Sequence, residues 1–376
     1  MEFFPDWEDK FSWAVLIVFL SMTFIQLYWT LFFHARIAFH RQKSPVYTPP
    51  VSVIIAARNE EDNLYKLLPK ILEQDYPKFE VVVVNHQSSD DSSFILKAYE
   101  RTYRHLKVIE IERSKHLRPG KKLPLTIAVK GATYEHLVFT DADCEPSSKN
   151  WLREMAGKFS EKKKVVLGYG PYIKEKGLLN KIIRLDTVMI GLSYLSMAKA
   201  RTPYMGVGRN MAYTKTVFDE NKGFKSHYAI QSGDDDLFIQ EVAKNNNYTV
   251  CIHSDAFCYS QAEKTWSEWY KQKSRHFTTT GQYKVIKKTL LGIYPLSLLI
   301  MYLSFGTLYW SNMVIWMPLG VLAFTLILKW WIQGKALYRL QEKEFLWFLP
   351  FWDLFYTILA PLLFYTSEKT TETTWR

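Results

Sequence analysis

Apolar residues in this chain fall into two kinds of stretch: long uncharged runs toward both ends and short runs between them. Phe11 to Phe33 carries no charge over 23 residues. At about 1.5 Å per helical residue, that is enough to cross a hydrocarbon core of roughly 30 Å. The run is longer and more aromatic than a signal peptide, and no small-residue cleavage site follows it. Thr289 to Leu328 is uncharged over 40 residues. That is about twice one crossing, and it predicts two helices joined near "YWSN", Tyr309 to Asn312. Phe345 to Thr366 is a third run, interrupted by Asp353. A carboxylate there is costly unless it faces protein or water. Asp353 therefore marks either an acceptor path or a segment that inserts only in part. Together the runs predict about four transmembrane helices.

The short runs follow a different rhythm. "VSVIIA" (51–56) and "FEVVVV" (79–84) read as strands, the first continuously apolar as for a strand buried on both faces. "KVIEIE" (107–112) and "LVFT" (137–140) continue the series. Between the first two, Asn59 is an N-cap candidate, and Leu64, Leu67, Leu68, Ile71 and Leu72 keep helical spacing. Further helices are predicted over about 91–103 and 122–132. Strands alternating with helices imply βαβ units and a mostly parallel, Rossmann-like sheet, hence an α/β fold. The expected division is 1–44 (first transmembrane helix and basic flank), 45–285 (the α/β domain) and 286–376 (two to three further transmembrane helices). The segment 174–200 mixes basic residues with an apolar stripe. It reads as an interfacial helix lying on the membrane or as an ordinary domain helix. No internal repeat stands out.

Charge orients this plan. "MEFFPDWEDK" before the first helix is acidic, and "HARIAFHRQK" after it is basic. The positive-inside rule then puts the domain from about residue 45 to 285 in the cytoplasm. The net charge of +11 and pI near 9.2 fit residues beside anionic headgroups. The basic residues flank the apolar runs without an aromatic-interleaved stripe, so nucleic acid is not an expected partner. Three cysteines, Cys144, Cys251 and Cys258, with no CxxC pair, point to neither a disulfide framework nor a zinc site. The expected location is a bacterial inner or cell membrane.

In open α/β sheets, ligands bind beyond the carboxyl ends of the strands. "ARNEE" (57–61), "NHQSSDD" (85–91) and "DAD" (141–143) all follow strands and so meet along one edge. Asp141 and Asp143 lie one residue apart, and such a pair needs positive charge nearby. A hard divalent cation, Mg²⁺ or Mn²⁺, bridging carboxylates to a diphosphate would supply it. Neither GxGxxG after the first strand nor GxxxxGK[ST] is present, which removes support for dinucleotide and P-loop binding. "GDDD" (233–236) precedes the helical "LFIQEVA"; acidic residues also suit a helix start for plain dipole reasons. Gly206 and Gly208 in "GVGRN" permit close backbone approach to a ligand. Cys144 reads as packing, and His86, His227 and His253 lack ligand spacing.

With "VSVIIAARNEE", "EVVVVNHQSSDDS", "GKK" (120–122), "TDADC", "GVGRNMAY" (206–213), "SGDDDLFI" (232–239) and "QKSRH" (272–276) in this order, the sequence resembles the family-2 glycosyltransferases over about residues 50–282. These are inverting enzymes of the GT-A nucleotide-diphospho-sugar transferase fold. The likeness is greatest to membrane-embedded members such as ceramide glucosyltransferase and the processive polysaccharide synthases. The resemblance implies that Ala57, Asn59 and Glu60 line the base and ribose pocket. Asn85 stands where the family usually has a uracil-contacting Asp. Lys121 or Lys122 sits near the nucleotide. Asp141 and Asp143 are the metal pair. One of Asp234, Asp235 and Asp236 is the catalytic base, and the acceptor is contacted around Gly206, Gly208 and Asn210. Gln272 and Arg275 keep the QxxRW signature for diphosphate contact, with His276 in place of Trp.

Inverting transfer needs a stabilised leaving diphosphate, and a metal with a cation such as Arg275 suits that role. It also needs a base for the acceptor hydroxyl, and adjacent carboxylates raise one another's pKa. The expected activity is membrane-bound, metal-dependent transfer of a sugar from a nucleotide donor, UDP-linked, to a lipid or polysaccharide acceptor. Four crossings are few for a translocation channel, which favours a lipid. The alternative is a degenerate subunit that binds a nucleotide sugar or scaffolds a synthase.

Overall fold

The computed structural model describes residues 9–42, 45, 47–112, 120–230, 232–310 and 316–366. They form two compact units, one drawn from Met1–His40 with Lys284–Ser367, the other from Arg41–Tyr283. The chain enters through α1 (Lys10–Trp29), a π-helical turn (Thr30–His34) and α2 (Ala35–Ala38), which belong to the first unit.

The second unit begins with β1 (Val51–Ala57), α3 (Glu61–Leu72), β2 (Phe79–His86), α4 (Ser92–Thr102), β3 (Leu106–Ile111), α5 (Lys122–Gly131) and β4 (His136–Phe139). All seven residues of β1 are buried, as its unbroken Val, Ile and Ala content predicts for a central parallel strand. Beyond β4 come β5 (Cys144–Pro146), α6 (Trp151–Ala156), β6 (Val165–Leu167), α7 (Leu178–Lys199), β7 (Met211–Thr214), α8 (Lys215–Glu220), α9 (Asp236–Val242), β8 (Tyr248–Val250), β9 (Cys258–Ser260) and α10 (Trp266–Thr280).

The seven-stranded sheet has the order β3-β2-β1-β4-β7-β6-β8. Its β3-β2-β1-β4 half is parallel, and β7 lies antiparallel between β4 and β6. A separate antiparallel pair, β5 and β9, sets Cys144 opposite Ser260. One face of the sheet packs on Leu64, Leu68 and Ile71 of α3 and on Trp151, Leu152 and Met155 of α6. The α7 segment is an ordinary domain helix, with Ile183, Val188, Leu192 and Leu195 buried inside this unit.

The first unit is completed by α11 (Val285–Trp310), α12 (Trp316–Arg339) and α13 (Leu349–Thr366). Ser311 and Asn312 of the predicted joint lie outside the described residues. Four helical stretches are long and apolar enough to cross a membrane: Lys10–Ala38, Val285–Trp310, Trp316–Arg339 and Leu349–Thr366. Leu16 and Phe19 pack with Leu298, Met301, Leu308 and Leu322.

Asp353 faces protein. It accepts from the Tyr294 hydroxyl at 2.6 Å and pairs with Lys329 at 3.1 Å. Lys329 also donates to Gln26 Oε1 at 2.7 Å. One polar network therefore ties α1, α11, α12 and α13. Removing one ion of a buried pair leaves the other uncompensated, so Lys329→Ala is expected to lose about 3–5 kcal/mol. Lys329→Met combined with Asp353→Leu should recover most of that loss. Thermal unfolding in detergent checks both, and a Lys329→Ala protein melting with the parent would show that the pair does not hold the helices.

Candidate active site

Asp141 and Asp143 lie just past the end of β4, where the sheet leaves its loops at the carboxyl edge. Lys121, at the N-terminal end of α5, forms an ion pair with Asp141 and lies 4.0 Å from Asp234. This one ammonium links the aspartate pair to the acidic loop more than ninety residues later in the chain. Burial works against its charge, but Asp141, Asp234 and Asp235 outweigh that and raise its pKa.

Ligand atoms of Asp141, Asp143 and Cys144 lie within 4.8 Å of one another. Burial pushes the Cys144 thiol well up, so it stays protonated and is a poor ligand for a hard ion. The two half-buried carboxylates are oxygen donors of the kind such ions take. Burial and the neighbouring Asp141 raise Asp143, while Arg209 and Lys121 pull it down. With burial acting on Asp143 and Asp141 beside it, the pair offers oxygen donors that a bound divalent cation fits.

Two loops flank the pair. Asn59 adopts a left-handed φ of 54°, which Asn tolerates better than most residues. Its Oδ1 accepts from the Ser89 amide at 2.8 Å, stitching the loop after β1 to the loop after β2. Glu60 is raised to about 7, first by burial and further by Asp143, Asp141 and Asp90, while Asn63 opposes the shift. It therefore shares the electrostatics of the aspartate pair.

Ala57 and Asn85 sit side by side at the ends of β1 and β2. Asn85 is buried, and its amide nitrogen donates to Ser93 Oγ (2.7 Å) and Glu110 (2.9 Å) while its oxygen accepts from Ser88. These bonds order the loop between the ends of β2 and β3.

The acidic loop turns on Gly233, whose φ of 98° disfavours any side chain and whose Cβ would sit 2.7 Å from Leu237. The three following aspartates separate in role. Asp234 faces Lys121. Asp235 accepts from the Gly208 amide at 3.0 Å and from the Asp236 amide at 2.7 Å. Burial and the charges of Asp234 and Asp236 raise it to about 7.

Asp236 is not available as a base. It is buried and accepts from the hydroxyls of Thr279 (2.5 Å) and Tyr283 (2.7 Å), tying the loop to the end of α10. Asp236→Ala would take the acceptor from the buried Tyr283 hydroxyl and leave Thr279 only the His276 carbonyl, and should cost about 1–3 kcal/mol in a denaturation series. Full stability in that variant would remove the tie.

Lys122 also departs from the nucleotide role. It is buried and donates to the carbonyls of His227 (2.6 Å), Ile230 (2.6 Å) and Ser232 (2.8 Å), bracing the approach to Gly233. Gly206 is buried, and a Cβ there would meet Ile239 at 3.1 Å, so its smallness serves packing. At Gly208, Asp235 Oδ2 would be the nearest atom, at 3.6 Å, so that glycine keeps the backbone close to the acid loop. Asn210 is fully buried, takes a hydrogen bond from Trp151 Nε1 and donates to the carbonyls of Tyr169 and Ala256.

A capping box between Thr265 and Glu268 starts α10. Its Gln272 is half-buried, accepts from the Tyr172 hydroxyl (3.4 Å) and donates to Glu263 (3.3 Å). Arg275, one turn along, is half-buried, and His276 is exposed. Lys273 between them forms a buried ion pair with Asp186 of α7, which anchors the helix.

Sequence reasoning passed over Arg209. Its guanidinium lies 4.3 Å from the centre of the Tyr172 ring, donates to the Gly170 carbonyl and acts on Asp143. The only signal was one cation inside a glycine-rich motif.

Two family models match the chain: "Glycosyl transferase family 2" over residues 52–221 and "Glycosyl transferase family group 2" over residues 138–365. Among curated proteins, the "Probable glycosyltransferase YdaM" of Bacillus subtilis (strain 168) is 26% identical over 248 residues, covering 64% of this chain and 57% of the relative. The "Poly(ribitol-phosphate) beta-N-acetylglucosaminyltransferase TarS" of Staphylococcus aureus (strain MW2) is 28% identical over 211 residues, 56% of this chain and 35% of that protein. The chain thus spans little more than half of one and about a third of the other. Among solved structures, the mannosyltransferase PcManGT from Pyrobaculum calidifontis, in complex with GDP-Man and Mn²⁺, matches with a TM-score of 0.53 at 18% identity, over 92% of this chain and 99% of that one. That likeness is one of fold, the GT-A fold.

Proposed function

This chain belongs to glycosyl transferase family group 2, whose model covers more than half of it, and from that premise we propose that it is a membrane-bound inverting glycosyltransferase. It takes a sugar from a nucleoside-diphosphate donor, UDP-linked by preference, and passes it to a lipid or glycan acceptor, with the lipid favoured. Residues 1–44 and 286–376 act as its membrane segments, and 45–285 as a catalytic domain on the cytoplasmic side. The basic flank after the first helix and the four apolar helices support that arrangement. The observation that carries the reading is the shared ammonium of Lys121, in contact with Asp141 and 4.0 Å from Asp234.

Asp141 and Asp143 are the residues that would hold Mg²⁺ or Mn²⁺; the solved mannosyltransferase is in complex with GDP-Man and Mn²⁺. Such an ion, when bound, neutralises charge on the departing diphosphate. Arg209, which acts on Asp143, and Arg275 supply fixed positive charge for the diphosphate. Gln272 orients the diphosphate. Glu60, with Ala57 and Asn59, borders the nucleoside.

Asp235 takes the proton of the acceptor hydroxyl. The acceptor oxygen bonds to the anomeric carbon as the bond to the diphosphate oxygen breaks, and the configuration inverts. Membranes carrying the protein, incubated with a panel of labelled nucleotide sugars, should move one label into the lipid extract. Label appearing in neither lipid nor polymer would defeat the reading.

A further inference from the structure

Lys121 has a property that the transfer reaction does not require. Its ammonium holds one oxygen of the Asp141 carboxylate, a member of the candidate metal pair, and a second carboxylate, Asp234, lies 4.0 Å away. The side chain is 17% exposed, and Asp141 and Asp234 are 31% and 12% exposed, so all three are partly shielded from water. The adjacent Lys122 is pinned by three carbonyls. The backbone at this point is therefore held while the Lys121 side chain keeps a choice of partners.

An ammonium and a divalent ion repel, so their sharing of the Asp141 carboxylate is disfavoured. A diphosphate arriving with the ion offers the displaced ammonium a new anion. An ion arriving alone offers it nothing.

We propose that Lys121 is a placeholder cation, which occupies Asp141 until a metal–nucleotide complex displaces it toward Asp234 and the diphosphate. It thereby disfavours metal without nucleotide and couples the two binding events. This rests on the metal-pair reading above. Linkage makes the coupling reciprocal: nucleotide tightens metal as much as metal tightens nucleotide.

The test is a Mn²⁺ titration followed by electron paramagnetic resonance, on the full chain in detergent, with and without UDP or GDP. In Lys121→Met, affinity for Mn²⁺ alone should rise, by about tenfold or more, the equivalent of 1.4 kcal/mol. The extra tightening caused by the nucleotide should shrink. Lys121→Arg should keep the parent pattern. Misfolding cannot produce a gain of affinity.

Equal or weaker Mn²⁺ binding in Lys121→Met, with Asp143-dependent binding intact in the parent, would overturn the placeholder role alone. If neither protein bound Mn²⁺ with or without nucleotide, the metal reading would fail and this inference with it. Binding in Lys121→Met but not in the parent would support the proposal in its strongest form.

Discussion

Asp235→Asn is expected to lower kcat by about 10²–10⁴-fold while leaving donor affinity nearly unchanged, the range a positioned general base contributes. Asp234 is turned to Lys121, and Asp236 is consumed by Thr279 and Tyr283. Asp235 is held by two backbone amides, those of Gly208 and Asp236, with no side-chain hydroxyl on it among the hydrogen bonds of the described residues. Burial, with Asp234 and Asp236 beside it, raises its pKa to about 7.

A raised carboxylate pKa means the proton is kept to higher pH. A base must be deprotonated, so the rate should fall as pH drops through about 7 and level off above it. Asp234→Asn removes a like charge and should move that acid limb to lower pH. Initial rates against pH in the three proteins settle the assignment. A variant Asp235→Asn that turns over like the parent, or a larger loss in Asp234→Asn, would transfer the role elsewhere.

The second large effect is expected at Asp143. Asp143→Ala should reduce kcat/KM by about 10³-fold, the scale of losing one main electrostatic support of a departing anion. Chelation should silence the parent enzyme, and added Mn²⁺ or Mg²⁺ should restore it, whereas excess metal should not restore Asp143→Ala. Burial and Asp141 push this carboxylate toward its neutral form; a cation there would keep it charged. Parent turnover indifferent to chelator would remove the metal from the reaction.

Much of the scaffold could be read from the chain. The Val- and Ile-rich stretches of β1 and β2 mark buried parallel strands, and the leucine spacing of α3 marks their covering helix. The aspartates after β4 were legible because a strand end on a parallel sheet is itself a location. The four apolar helices were legible from length and missing charge. The strands β6, β8 and β9 escaped notice, since each has three residues, too few to display a period of two.

Side-chain roles divided along another line. Lys121 and Lys122 are neighbours of identical chemistry, as are Asp235 and Asp236, and nothing local separates them. Successive residues at a helix start point in different directions. One lysine thus reaches Asp141 while the next is spent on the carbonyls before Gly233, and one aspartate meets the Gly208 amide while the next meets Tyr283. Asn85 and Asn210 sit in motifs that imply ligand contact, yet neighbours distant in the chain consume their amides. Residue type and order along the chain were enough to establish the class of fold, the apolar helices and the chemistry on offer at the sheet edge. Which member of each polar pair faces the site followed from packing, because a direction in space depends on contacts between residues far apart in sequence.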